Sequence, residues 1–416
     1  MPMEVLETDT VATPATVEQQ VVLLTGGYDK PYVIGLTGAL AGCNVRMEVV
    51  GGNDIDGPAL HATGKLRFLN LIGSKEASGL AAKVSRVLAY YGRLLRYTLT
   101  AEPKIFHILW NNKFELFDRT FLTLYYKLIG KKIVLTAHNV NAGKRDGNDS
   151  WLNRATLRFQ YHLCDHIFVH TEQMKSELIE DFGIRERTVS VIPFGINHSV
   201  PDTDLTPAEA RERLRIPAER KTVLLFGALR PYKGLEYLVD AFLELAPRHP
   251  DYELIIAGER RRESGAYPED VLRKIEASPY RDRVLQAIRY VPDEETEIYF
   301  KAADVLALPY THVFQSGVLF LAYGFGLPVI ASEVGSIREE VVEGETGFLC
   351  KPRDPESLAA AIEEYFASDI FRSLDRSRSR IRAWAAARHS WSVVGATTSA
   401  VYANLLAGGE AAAAIR

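Results

Sequence analysis

The three cysteines of this sequence, Cys43, Cys164 and Cys350, are scattered and never stand as Cys-x-x-Cys. That indicates neither a disulfide framework nor a structural zinc site, and it points to a reducing compartment. Long hydrophobic runs are missing too: none approaches the ~20 residues needed to cross a bilayer, so any membrane contact is peripheral. There is no basic excess. A net charge of −4 gives no global attraction to nucleic acid and leaves contact with charged surfaces to local patches. Residues 1–20 lack a basic region and an apolar core, so they read as a disordered leader rather than a secretory signal. Neither half opens with Gly-x-Gly-x-x-Gly and a later acidic ribose ligand, which leaves a dinucleotide oxidoreductase as the least favoured class.

What is present is the composition of a globular protein, 47% hydrophobic and 25% charged over 416 residues. That length predicts two domains of roughly 150 to 200 residues. Strand-like runs recur at Val21 to Leu24, Val45 to Val50, Ile105 to Trp110, Lys132 to Ala137, His166 to His170 and Val189 to Pro193, separated by helix-length amphipathic stretches. A second series follows at Thr222 to Phe226, Tyr252 to Ala257, Val284 to Ala287, Val305 to Leu308 and Pro328 to Ala331. Such alternation predicts an α/β fold of two Rossmann-like, doubly wound parallel-sheet domains facing across a cleft. The Pro-, Asp- and Thr-rich segment His198 to Pro207 has linker chemistry. The expected division is therefore a leader 1–20, an N-terminal domain 21–200, a C-terminal domain 201–388, and a final helix 389–416 that packs back toward the N-terminal domain.

Two motifs carry the chemistry. In Leu224-Leu-Phe-Gly-Ala-Leu-Arg-Pro-Tyr-Lys-Gly234 a strand runs into a glycine loop bearing Arg230 and Lys233, two cations suited to phosphate oxygens; a solvated pair in an ordinary loop is the alternative. In the stretch Phe314 to Ser332 a strand is followed by a polar turn, Gln315-Ser-Gly-Val318, that opens a helix. Its free amides at Ser316, Gly317 and Val318 form an anion cradle, unless the turn is merely a cap. Gly335 and the Gly344-Glu-Thr-Gly347 turn lie downstream, the latter read as backbone geometry. Asp54-Ile-Asp56 and Asp202-Thr-Asp204 are the Asp-x-Asp pairs; the first reads as a polar turn and the second sits in the linker, so no metal site is expected.

Gly-Ala-Leu-Arg-Pro-Tyr-Lys-Gly, Gln-Ser-Gly-Val, Gly-Leu-Pro-Val-Ile-Ala, Gly335, Glu340 and Gly-Glu-Thr-Gly-Phe-Leu, in this order over residues 220–365, resemble the C-terminal half of a retaining GT-B-fold glycosyltransferase of family 4 type. The N-terminal half matches more weakly, through Thr25-Gly-Gly27, Thr136-Ala-His-Asn-Val140 and Val191 to Asn197. The resemblance implies transfer of a sugar from a nucleoside-diphosphate-sugar to an acceptor hydroxyl in polysaccharide or glycolipid assembly, with no cofactor and no metal. It implies that Arg230 and Lys233 neutralise the diphosphate, that Gly26, Gly27, Gly227, Gly234, Gln315, Ser316, Gly317 and Val318 line the donor site, and that His138 faces the donor sugar. His170 and Glu172 end another strand of the same sheet, where a structural role is equally open. Another GT-B enzyme such as a nucleotide-sugar epimerase, or a non-catalytic nucleotide- or carbohydrate-binding protein, would share the cradle.

One departure from that family pattern concerns its Glu-x7-Glu pair. An ungapped match puts Val313 and Leu321 there, neither able to accept a hydroxyl's hydrogen bond; a two-residue shift would offer Gln315 and Tyr323. On the acceptor side, residues 83–99 interleave Lys83, Arg86, Arg93 and Arg96 with apolar residues. They suit either an ordinary surface helix or peripheral contact with an anionic inner-membrane surface and a sugar or lipid-linked acceptor. Phe114, Phe117, Phe121, Tyr125 and Tyr126, at helical spacing, are expected to be core. These features together predict a cytoplasmic enzyme with no nucleic-acid partner.

Overall fold

The structure is a computed structural model that describes residues 19–73, 80–112, 114–145, 149–196, 200–260, 265, 267–313 and 315–413. Outside these lie the leader, apart from Gln19 and Gln20, residues 197–199 of the linker, and Phe314.

Thirteen strands are defined among the described residues, forming two wholly parallel sheets. The first holds β1 (Gln19–Leu24), β2 (Val45–Gly51), β3 (Leu66–Asn70), β4 (Ile105–Ile108), β5 (Lys132–Thr136), β6 (His166–Val169) and β7 (Val189–Val191), in the order 3-2-1-4-5-6-7. The second holds β8 (Lys221–Phe226), β9 (Tyr252–Ala257), β10 (Val284–Ala287), β11 (Val305–Leu308), β12 (Val329–Ser332) and β13 (Gly347–Cys350), in the order 10-9-8-11-12-13. Central strands such as Val305-Leu-Ala-Leu308 are buried at every position, as expected where helices cover both faces.

Two strands escaped the sequence reading for physical reasons. In β3 the run Leu-Arg-Phe-Leu-Asn occupies an edge and is only half-buried. The start of β13 looked like a turn because of Gly347, but a Cβ there would lie 2.0 Å from the Val329 carbonyl oxygen, so the glycine serves close strand approach.

The aromatic run in the N-terminal half also differs from expectation. Tyr126 is buried, but Phe114 and Phe121 are 54% and 69% exposed and Leu128 is 77% exposed. The run therefore divides: Tyr125 and Tyr126 pack on the core, whereas Phe114, Phe117 and Phe121 turn outward. Phe117 stacks on Phe121 at 6.0 Å and meets Tyr91 of the helix Leu80–Thr100 at 5.1 Å, which joins the two apolar strips.

The helix Trp391–Ala413 packs against the helix Lys30–Gly42, where Gly395 comes so close to Ala39 that a Cβ would meet it at 2.9 Å. Val394 and Tyr402 join the core under β1, β2 and β4. The Tyr402 hydroxyl lies 2.5 Å from His107 Nδ1, and His107 Nε2 lies 2.7 Å from Thr136 Oγ1. Burial holds His107 down at about 3, and His166 and His170 at about 4. These histidines are neutral when folded and take up protons when unfolded, where the ordinary value is ~6.5. The unfolded state therefore binds more protons on acidification, and stability drops as pH falls through 6.5 toward 4. Thermal unfolding followed between pH 8 and pH 4.5 is expected to show a melting temperature steady above pH 7 and declining below it.

Candidate active site

In an open α/β sheet the crevice lies at the strand carboxyl ends where strand order reverses. Here the reversals fall between β1 and β4 in the first sheet and between β8 and β11 in the second. The loops after those four strands contain Gly26 and Gly27, Trp110, the Gly227 to Gly234 segment, and the Pro309 to Val318 segment.

The second-sheet half is a cationic cradle. Gly227 has φ 95°, and a Cβ there would lie 2.7 Å from Lys233 Nζ and 3.6 Å from a Val318 methyl. One backbone position thus brings the ammonium beside the start of the helix Gly317–Gly324. Gly234, at φ 68°, ends the short turn Pro231–Lys233 and sits against the backbone of Pro309: a Cβ would be 2.0 Å from that carbonyl oxygen. Lys233 is 7% exposed and donates to the Phe226 carbonyl at 3.2 Å. Among the described residues no carboxylate pairs with it or with Arg230. Burial, with Arg230 nearby, lowers its pKa to about 8. An ammonium buried without a counter-charge is costly, and an anionic ligand removes that cost.

The helix that faces it is capped by Ser316, whose Oγ accepts from the Leu319 N–H at 3.3 Å and lies 3.3 Å from the Tyr310 hydroxyl. The Ser316 side chain is therefore engaged within the turn. Among the described residues the Gly317 and Val318 amides have no acceptor, and Gln315 has a buried, unpartnered Nε2. The Lys233 ammonium, with Arg230 near it, thus lies beside the start of a helix whose first amides have no acceptor among the described residues, an arrangement that suits phosphate oxygens.

The first-sheet half is aromatic, and its histidines are uncharged. His138 follows β5, stacked on Trp110 at 4.1 Å with an interplanar angle of 5° and meeting the Tyr32 ring edge-on at 4.6 Å. Its Nδ1 lies 3.0 Å from His170 Nε2, and its own Nε2 is buried with no partner among the described residues. Burial holds His138 well below the usual histidine range, helped by His170 and His107. Tyr32, Phe194 and Trp391 then form one wall of a cleft of about 260 Å³ whose other wall includes Gly317, Val318 and Leu321.

Not every expected residue is free for a ligand. Gly26 (φ 61°) is explained by the protein itself, since a Cβ would meet the Asn111 carbonyl at 2.8 Å; Gly27 (φ 76°) adjoins Ile72. Val313 is core, Leu321 reaches the cleft, and Tyr323 is fully buried with its hydroxyl on the Glu340 carbonyl, so the shifted pairing offers Gln315 alone. Asp56 engages His61 Nε2 and the Gly57 amide, and Asp202 pairs with Lys301. Sequence reasoning missed Asp29, Tyr32, Phe194 and Trp391. Of these only Asp29 left a local signal, as a cap residue ahead of Lys30-Pro31; it holds φ 45° and accepts from the Tyr32 N–H at 3.2 Å, and burial raises its pKa.

Residues 207–384 match the family of glycosyl transferases group 1, and residues 32–200 match Glycosyltransferase Family 4. Both halves of the chain are thus similar to glycosyltransferase families. Among curated proteins it is 28% identical to D-inositol 3-phosphate glycosyltransferase of Corynebacterium efficiens over 287 residues, 65% of each chain. It is 30% identical to glycogen synthase of Mycobacterium tuberculosis over 282 residues, 65% of this chain and 62% of the other. It thus spans a little under two thirds of the length of these relatives. Among solved structures, sucrose-phosphate synthase from Thermosynechococcus elongatus shares the fold with a TM-score of 0.74 at 21% identity, covering 94% of this chain and 100% of that one. Anabaena HepE in complex with UDP and glucose gives a TM-score of 0.70 at 17% identity, covering 92% and 99%.

The glycine geometry of the group 1 half is directly testable. Gly234→Ala is expected to destabilise the protein by at least ~1–3 kcal/mol, since it combines a left-handed residue with a backbone clash. Gly344→Ala, at φ 73° in open space, is expected to cost less. Denaturant midpoints of the two variants check the order.

Proposed function

We propose that this chain is a retaining, metal-independent hexosyltransferase that moves a sugar from a nucleoside-diphosphate-sugar to an acceptor hydroxyl in polysaccharide or glycolipid assembly. The observation that carries the reading is Lys233: a nearly inaccessible ammonium that, among the described residues, has no carboxylate partner and is set beside Arg230 and the Gly317 and Val318 amides, which have no acceptor there. The family's activity, and the UDP held by the HepE fold relative, support a diphosphate there.

Arg230 and Lys233 neutralise the diphosphate as the bond from the anomeric carbon to phosphate oxygen breaks and the acceptor oxygen bonds to that carbon. The acceptor's proton passes to a departing phosphate oxygen, so no protein nucleophile is used. With Val313 and Leu321 in place of acids, the ribose relies on backbone groups and on the Gln315 carboxamide. Domain closure around the crossover near residue 200 excludes water and limits donor hydrolysis.

The acceptor is a sugar or a lipid-linked sugar, met at the cytoplasmic face of an anionic membrane. Among the described residues no helix is long and apolar enough to cross a bilayer. The helix Leu80–Thr100 carries Lys83, Arg86, Arg93 and Arg96 and no acid, and it adjoins the exposed strip of Phe117, Phe121 and Leu128. Basic charge beside exposed apolar side chains suits an anionic interface.

In a thermal-shift panel with UDP, GDP, ADP and TDP, one nucleotide is expected to raise the melting temperature of the wild type, by mass action on the native state. Lys233→Ala is expected to fold, to lose that shift, and to lose transfer; near-normal transfer by the variant overturns the assignment. The nucleotide's affinity is also expected to weaken as pH rises through about 8, where Lys233 of the free protein loses its proton. In co-sedimentation with phosphatidylglycerol vesicles, Phe121→Ser with Leu128→Ser is expected to weaken binding by about tenfold or more, and added salt to weaken it further. Equal binding to neutral phosphatidylcholine vesicles would contradict the electrostatic part.

A further inference from the structure

We propose that His170 is a positioning residue that fixes the tautomer of His138, making His138 Nε2 a hydrogen-bond acceptor for a hydroxyl of the sugar bound in the cleft. The sugar-facing part of this inference rests on the transferase reading above; the tautomer itself does not.

The chain of protons has one consistent solution. His170 Nδ1 lies 3.2 Å from the Ile192 carbonyl oxygen, which only accepts, so Nδ1 carries the proton. Burial keeps His170 neutral, and its Nε2 therefore holds a lone pair. That lone pair faces His138 Nδ1 at 3.0 Å, so His138 donates through Nδ1–H. A neutral His138 then has a bare Nε2. Which ring nitrogen is protonated is set by the bond the other one makes, and here the setting is inherited from a backbone carbonyl two bonds away.

The surroundings give that lone pair a purpose. Trp110 covers one face of the His138 ring, Tyr32 meets it edge-on, and Phe194 packs at 6.4 Å. Nε2 is buried with no partner among the described residues, a condition that in native proteins calls for an explanation. Tyr32 and Phe194 also line the cleft opposite Gly317 and Val318. A donor with its diphosphate at the cradle presents its sugar toward this aromatic side. There a nitrogen that can only accept selects a hydroxyl and rejects a carboxylate or phosphate oxygen. The cationic half holds the charged end, and the neutral imidazole pair holds the uncharged end.

Three forms of the whole chain test this: wild type, His170→Phe, which keeps a ring but removes the acceptor, and His170→Gln, which keeps an acceptor. Long-range 15N–1H spectra of histidine-labelled, ligand-free protein read the tautomer without any substrate. His138 is expected as Nδ1–H with a bare Nε2 in wild type and His170→Gln, and to lose that form in His170→Phe. Calorimetry with UDP and with UDP-glucose supplies the second readout. His170→Phe is expected to weaken UDP-glucose by about tenfold while leaving UDP unchanged, and His170→Gln to restore the difference. A wild-type His138 with its proton on Nε2, or a His170→Phe variant that keeps the Nδ1–H form, overturns the relay. Equal loss for UDP and UDP-glucose, or no loss for either, overturns the sugar-facing role. If wild type binds neither compound, the nucleotide-sugar reading fails while the spectra still decide the relay.

Discussion

The geometry of the cleft depends on where one indole is seated. Trp391 occupies space that exists only because Gly35 and Gly195 lack a Cβ, which at either position would lie 2.1 to 2.2 Å from the ring. Its Nε1–H donates to the Ile196 carbonyl at 2.8 Å, so the ring is both wedged and tethered. Three separate parts of the chain meet there: the first helix, the crossover that leaves the first sheet, and the helix after the second sheet. From the indole an aromatic path runs through Tyr32 at 5.2 Å and Phe194 to Phe320, which stacks on Phe194 at 5.3 Å. Phe320 belongs to the helix whose first amides face the cradle. The imidazole pair and the phosphate side are thereby held at a defined separation by packed rings, which are far less compliant than a linker.

Across that separation the electrostatics are deliberately unlike. The second sheet contributes positive charge that the described residues leave uncompensated, on Lys233 and Arg230. The first sheet contributes histidines that burial keeps uncharged and that hydrogen-bond one another. A ligand with one strongly anionic end and one polyhydroxylated end matches both halves at once, whereas a symmetric dianion or a neutral glycan matches only one. Specificity of this kind is built from what each half rejects as much as from what it attracts.

Most of the fold was legible because central parallel strands announce themselves as short continuous aliphatic runs, as in Ile133 to Leu135 or Leu254 to Ala257. The cationic cradle was legible for a related reason: Gly227, Arg230, Lys233 and Gly234 lie within eight residues, and strand-loop-helix context fixes what they face. The exposed Phe121 was misjudged because helical spacing does not state which rings of a run turn inward, as Tyr126 does, and which turn outward. Tyr32 and Trp391 gave no signal, since their roles arise from contacts distant in sequence: Trp391 against Gly35 and Gly195, and Tyr32 against the rings of Trp110, His138, Phe194 and Trp391. Gly26 taught the reverse lesson: a glycine in a ligand-side loop can answer to a neighbouring carbonyl of its own protein.

The contact between Tyr402 and His107 spans 295 positions of sequence, and its consequence is one of timing. At roughly 5 to 20 residues per second of synthesis, some 15 to 60 s separate the appearance of the two partners. During that interval the first sheet has its strands but not the helix that covers one side of β1 and β4, and Val21, Leu23 and Phe168 lack part of their cover. The second domain, continuous in sequence from about residue 207, meets no such delay. The domain made first is therefore finished last, with one face of its first sheet uncapped until the final helix arrives.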